Sequence, residues 1–243
     1  MEFESDAAHD DTVGKLESTM RVAVLTGAVI AVTTAASIGF GYAVHGNLNA
    51  YYGLLSLFFC INLPICYWEI CLFLRRDAVE RRADYWRARR RRTGRTPAVE
   101  FLLSEIPLSK ALSPTVWADV WATYSMYDES YADRRTFGFN ADVANGFFTP
   151  IPALVLHATF AVGFLPALLA GILGVMLFWQ WAYVTSVYLV SFFVARRHKQ
   201  IARGDLWLYI WSTNSPWVLF AILGLYVSVR LIVDGDYGVL GHR

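Results

Sequence analysis

The chain has 243 residues, 56% of them hydrophobic, and a formal net charge of +1. That composition excludes a soluble globular domain, and the length leaves room for one compact membrane domain and no second. The three cysteines, Cys60, Cys66 and Cys71, fit neither a disulfide framework nor a metal site and read as small apolar packing residues.

Residues 1–20 form a polar, acidic tail. No basic region precedes a short apolar run and a cleavage site there, so no cleaved signal peptide is expected. A first span is expected over Val22–Val44 and a second over Tyr51–Leu74, each about the length that crosses a bilayer core. Residues 75–116 read as a long Arg-rich loop. The remaining spans are expected at Asp142–Phe164, Leu165–Ala195 and Leu206–Val233. The predicted fold class is therefore all-α, a polytopic membrane protein whose residues 21–243 form a single five-transmembrane-helix bundle.

The small net charge hides a segregation. Arg75–Arg95 contains ten arginines, and Arg196, Arg197, Lys199 and Arg203 form a second basic group. The connections at 45–50 and 164–166 carry none. Basic loops stay on the cytoplasmic side, which predicts a cytoplasmic N-terminus, cytoplasmic 75–116 and 196–205 segments and a C-terminus on the opposite face. The run Arg89–Arg92 is read as a topology determinant touching anionic lipid, with no nucleic acid as partner.

Several chemistries are missing. Histidine occurs only at 9, 45, 157, 198 and 242, too dispersed for a histidine-box or metal centre. No Gly-rich phosphate loop, GxSxG elbow or dinucleotide fingerprint is present, so neither cofactor nor metal is expected.

What remains is carboxyl, amide, hydroxyl and aromatic chemistry inside the bundle. Glu69 is the only acid of the second span, and it reads either as an interfacial acid paired with Arg75 or Arg76 or as a carboxyl facing the bundle. Asp142 and Asn145 share a helix face, which Thr149 extends. The plain reading of Asp142 is first-turn stabilisation of a helix capped by Asn140. Tyr183, Thr185, Ser186 and Tyr188 form a polar cluster in the fourth span, and Asn214 and Trp217 sit together in the fifth. Pro150, Pro152 and Pro216 can each bend a helix around a cavity.

Most informative is the stretch from Trp121 to Asn145, dense in acids and aromatics and leading straight into a span. Its pattern Trp121-x-x-Tyr124-x-x-x-Asp128-x-x-Tyr131, followed by Phe137 and Asp142, resembles the EXPERA domain shared by emopamil-binding protein, a sterol isomerase, and the sigma-2 receptor. The resemblance covers roughly residues 117–233 and continues through Tyr183–Tyr188 to Asn214-x-x-Trp217. It implies a five-helix membrane bundle. It further implies that Asp142 stands for the third-helix acid of the isomerase, Asn145 for a pocket Thr and Glu69 for the second-helix Glu. Ile65 stands where the isomerase has a His.

The function expected from this likeness is intramembrane isomerisation, moving a double bond in a sterol-like or polycyclic terpenoid lipid. Asp142 and Glu69 would be catalytic. Substrate would be bound by Tyr124, Asp128, Tyr131, Asn145, Tyr183, Tyr188, Asn214 and Trp217, with Asn214 and Tyr188 orienting the acids. The alternatives are a non-enzymatic lipid-binding protein of sigma-2 type and a membrane terpene cyclase. Expected partners are a small hydrophobic lipid, the bilayer and, as a candidate, a second copy of the chain in a homodimer. The host membrane is expected to be a bacterial plasma membrane or the endoplasmic reticulum.

Overall fold

A computed structural model describes residues 18–242; most of the polar tail lies outside them. Four helices are long and apolar enough to cross a membrane, and the count rises to five when a pair bent by 52° is taken as one span. The chain is thus a multi-pass integral membrane protein. Apart from one two-stranded sheet and the connecting turns, the described residues are helical.

The first long helix, α1 (Val22–His45), fully buries only Val22 and Gly41 and leaves much of its apolar surface exposed, as a lipid-facing helix does. It stops at Gly46, whose left-handed backbone (φ 71°) lets its N–H reach the Tyr42 carbonyl. Next comes α2 (Ala50–Leu74), started by the Asn49 side chain accepting from the Tyr52 N–H at 3.0 Å. It is the central helix, buried along Leu55, Phe58, Phe59 and Cys66 and packed against most of the other spans. All three cysteines are buried and free.

The Arg-rich segment is not a loop. It folds as α3 (Arg76–Thr93), α4 (Pro97–Leu103) and, after a short extended piece, α5 (Pro114–Tyr124). Its arginines are good helix formers, and Val79, Ala83 and Trp86 recur at helical spacing to give α3 one buried face. That face lies on α5, where Arg82 grips Asp119 through Nε at 2.7 Å and Nη2 at 2.5 Å while Trp86 Nε1 donates to the same carboxylate at 3.0 Å. The layer is tied to α1 by pairing β1 (Thr19–Arg21) antiparallel to β2 (Glu105–Pro107), with Met20 opposite Ile106.

The segment expected as the third span also departs from expectation. Its helix α6 (Phe137–Phe148) begins well before Asp142, with Thr136 Oγ1 accepting from the Phe139 N–H at 3.4 Å. Asn140 is no cap; it lies inside the helix and donates to the carbonyls of Arg134 and Thr136. The helix breaks at Thr149, and α7 (Pro150–Val162) leaves at 52°. Pro150 explains the break, because its ring and missing N–H cannot continue the preceding turns but suit the first residue of a new helix.

The fourth span, α8 (Ala167–Val194), packs along the final helix in the most extensive pairing of the fold. Gly224 allows the approach: a Cβ there would fall 2.3 Å from the Phe178 ring. The fifth span opens with a short turn, α9 (Arg203–Asp205), passes through a π-helical stretch, Leu206–Trp211, and continues as α10 (Ser212–Asp234). Residues 236–242 fold back over the same end. Asn47 Nδ2 donates to the Gly241 carbonyl, Asn49 Nδ2 to that of Val239, and the Tyr237 hydroxyl to that of Leu165. His242 stacks on His45 at 3.8 Å.

Candidate functional site: two carboxyls in an aromatic cavity

Between α2, α5, α6, α8 and α10 lies a cavity of about 690 Å³. Trp68, Trp121, Tyr124, Tyr131, Trp181 and Trp217 supply aromatic faces to its wall. Trp121 Nε1 donates to the Trp68 carbonyl at 2.7 Å, which locks α5 onto α2. Among the polar groups in the lining are Glu69, Asp142, Asn145, Gln180, Thr213 and Asn214.

The approach of α6 to α2 depends on Gly146. A Cβ at that position would lie 2.7 Å from the Glu69 Cβ and 2.9 Å from the Ile70 nitrogen, so any larger residue would hold the helices apart. With glycine there, Asn145 Nδ2 reaches Glu69 Oε2 at 2.6 Å. Thr149 donates its hydroxyl to Asn145 Oδ1 at 2.6 Å, and Gln180 Nε2 donates to Thr149 Oγ1 at 3.3 Å. Every group in this line from α8 through α6 to α2 has a consistent donor or acceptor role. Its end product is a carboxyl held in one orientation.

Glu69 is 4% exposed and has no arginine partner among the described residues. Arg76, expected as a candidate partner, instead donates to the Phe73 carbonyl at 2.9 Å. Asp142 faces the same cavity from α6, within electrostatic reach of Glu69. It sits beyond the first turn of its helix, so helix-start stabilisation does not account for it. Beside Asp142 is Tyr131, from the turn ahead of α6. Burial first, and then the neighbouring Asp142 carboxyl, hold its phenol well above its ordinary value and keep it a neutral donor.

Tyr124 closes the α10 side. Its hydroxyl donates to the Tyr209 carbonyl at 3.0 Å and accepts from Asn214 Nδ2 at 3.3 Å, while the same amide donates to the Ile210 carbonyl at 2.7 Å. Asn214 therefore positions Tyr124 and touches neither acid. Trp217 lies in the wall one turn on.

Three residues expected to bind substrate stand outside the cavity. Asp128 is fully buried behind the wall. It accepts from the Tyr188 hydroxyl at 2.8 Å and the Ser130 N–H at 3.0 Å, and lies 3.3 Å from Arg197 Nη1. Tyr188 is thus turned to Asp128 and orients neither cavity acid. Tyr183 is 56% exposed and stacks on Trp179 along the outer side of α8. Helical geometry explains it: Trp181, Val184 and Thr185 share the inner face, and position 183 falls opposite. Gln180 was not anticipated. A lone amide within an apolar span is its signal, the same one that singles out Asn214.

Among the described residues no cluster of His, Cys, Asp and Glu is arranged to hold a metal ion. No family model matches the chain, and neither does any curated protein or solved structure.

Proposed function

We propose that the chain is an intramembrane isomerase of the EXPERA kind, shifting a double bond in a sterol-like or polycyclic terpenoid lipid. The observation that carries this reading is that Glu69 and Asp142 line one aromatic cavity, with no counter-ion for Glu69 among the described residues. Two carboxyls so placed repel each other as anions, which favours one protonated and one ionised member. The protonated Asp142 donates to one alkene carbon, and the C–H σ-bond on the neighbouring position then breaks as the Glu69 carboxylate removes that proton. The electron pair left behind forms the new double bond, so nothing is consumed. Between the two steps the positive charge lies against Trp and Tyr faces, which attract it. Proton exchange between the two acids resets the site.

The size of the cavity suits a ligand of several rings. Asn145, Thr149 and Gln180 hold Glu69 in position, and Tyr131 does the same for Asp142. A second reading, a lipid-binding protein without turnover, draws support from Ile65, an apolar cavity residue where the resembled isomerase has a His.

The test is uptake of deuterium into a polycyclic lipid alkene in deuterated water. Wild type should incorporate it, and Asp142→Asn and Glu69→Gln should lose at least about a hundredfold, the scale of general acid–base catalysis. Undiminished uptake in Asp142→Asn sinks the assignment. Binding without uptake by wild type selects the second reading, and ring formation from a linear prenyl epoxide selects a cyclase.

A further inference from the structure

The wall of the carboxyl cavity contains one hydroxyl that no protein group receives. Thr185 of α8 lines the cavity with 9% of its surface exposed. A threonine or serine in a membrane helix commonly satisfies its hydroxyl on the carbonyl one turn back. Thr33, Thr159, Ser186 and Ser228 do so, donating to Val29, Val155, Ala182 and Gly224. In the cavity wall itself, Ser212 and Thr213 donate to the Leu208 and Tyr209 carbonyls, and Tyr131 has Asp142 beside it. Thr185 makes no such bond, either to the Trp181 carbonyl or to any other described group.

A missing bond matters only where a ligand can supply it. The hydroxyls of Thr26, Thr34, Tyr127 and Ser130 are also unbonded, but they are sealed from any space that a ligand could fill. Thr185 is not among them. Its oxygen keeps accessible surface, and the little surface left to this residue opens on the cavity.

The pairing of α8 with α10 sets its place in the wall. Phe178 meets Gly224 and Gly174 meets Ser228, so each step forward along α8 is a step back along α10. Position 185 is thereby level with Trp217, and Trp181 precedes it by one turn. The hydroxyl is flanked by two tryptophans on the α8–α10 wall, whereas the carboxyls enter from α2 and α6. A polar group placed in an apolar site fixes orientation, because a ligand bound the wrong way round leaves it without a partner.

We propose that Thr185 donates a hydrogen bond to an oxygen on the ring system of the lipid, hydroxyl or keto, and so determines which part of that system reaches the two carboxyls. The inference rests on the reading of the cavity as a polycyclic-lipid site. It adds the class of ligand, an oxygenated polycycle and not a plain hydrocarbon.

The test uses saturated probes, which bind without turnover: cholestanol, cholestanone and cholestane. Each is titrated against the full purified chain in detergent. The amount retained above that of protein-free micelles is measured by gas chromatography and mass spectrometry. Wild type should bind the alcohol or the ketone about fivefold more tightly than the hydrocarbon, the scale of one neutral hydrogen bond. Whichever is held more tightly identifies the oxygen. Thr185→Val keeps the shape and removes the hydroxyl, so it should abolish the preference and leave cholestane binding as it was. Thr185→Ser should restore the preference. Ser186→Ala deletes the neighbouring hydroxyl, which is already bonded to Ala182, and should keep the wild-type pattern. Equal binding of the three probes by wild type, or an oxygen preference that survives in Thr185→Val, overturns the subsite and leaves the carboxyl chemistry standing. Binding of none of the three removes the polycyclic-lipid reading itself, and the subsite with it.

Discussion

Asn145 and Glu69 are joined across the α6–α2 contact by a 2.6 Å hydrogen bond from Nδ2 to Oε2. Because Thr149 holds the other end of the amide, turning it over would set two acceptors against each other at Glu69. Replacing Asn145 by Leu should leave Glu69 buried without its donor. The expected result is a loss of about 1–3 kcal/mol in stability, read by thermal unfolding in detergent. Deuterium uptake should fall roughly tenfold or more as the base loses its orientation. Full uptake in this variant would mean that Glu69 needs no positioning.

Gly146→Ala tests the spacing of the helices. The added methyl meets backbone as well as side chain, so relaxation must move α6 itself, at a cost of about 1–3 kcal/mol. Gly27 and Gly39 of α1 have open space where a Cβ would go, and alanine at either should be neutral or slightly stabilising. Comparing the three unfolding temperatures distinguishes packing from a general intolerance of substitution.

Two tyrosines separate a cavity role from a structural one. Tyr131→Phe removes the hydroxyl beside Asp142 and should lower uptake about tenfold with little change in stability. Tyr188→Phe removes the 2.8 Å bond to Asp128 and should cost about 1.5–3 kcal/mol while the folded protein retains its turnover. The converse pattern would place the working phenol at 188. In an ultraviolet titration Tyr131 should be missing from the tyrosines that ionise near pH ~10, because its pKa is raised and the phenol stays protonated through that range.

The docking of the Arg-rich layer should depend on Asp119. Asp119→Ala deprives Arg82 and Trp86 of a shared acceptor, and partial exposure of Arg82 limits the loss to about 1–2 kcal/mol. Limited proteolysis around Gly94 should become faster in the variant. An unchanged cleavage rate would mean that the apolar face of α3 suffices.

The long apolar runs were legible because a bilayer-length stretch of Leu, Val and Phe has few other folds open to it. α3 was obscured by its own charge: ten arginines from Arg75 to Arg95 read as a loop, although Val79, Ala83 and Trp86 already marked one helical face. The start of α6 was hidden for a different reason. Phe137, Gly138 and Phe139 extend the helix into a polar stretch, so the change in hydropathy at Asp142 falls inside it. Within the site, residue type alone marked Glu69, Asp142 and Asn214 as costly in hydrocarbon. It said nothing of direction, which is why Tyr183 was expected inward and Gln180 was passed over. Partners such as Asp128 with Tyr188 bring together residues sixty positions apart, and no local pattern encodes that.

The break at Thr149 has a consequence for depth. At 1.5 Å per residue, α6 and α7 are each roughly 20 Å long, so neither crosses a hydrocarbon core of about 30 Å alone. Asp142 and Asn145 lie in the last two turns of α6, just ahead of the elbow, so their place is set by where α6 ends against α2. A bilayer of different thickness can be met by swinging α7 about that elbow, leaving the two carboxyls at the same height relative to each other.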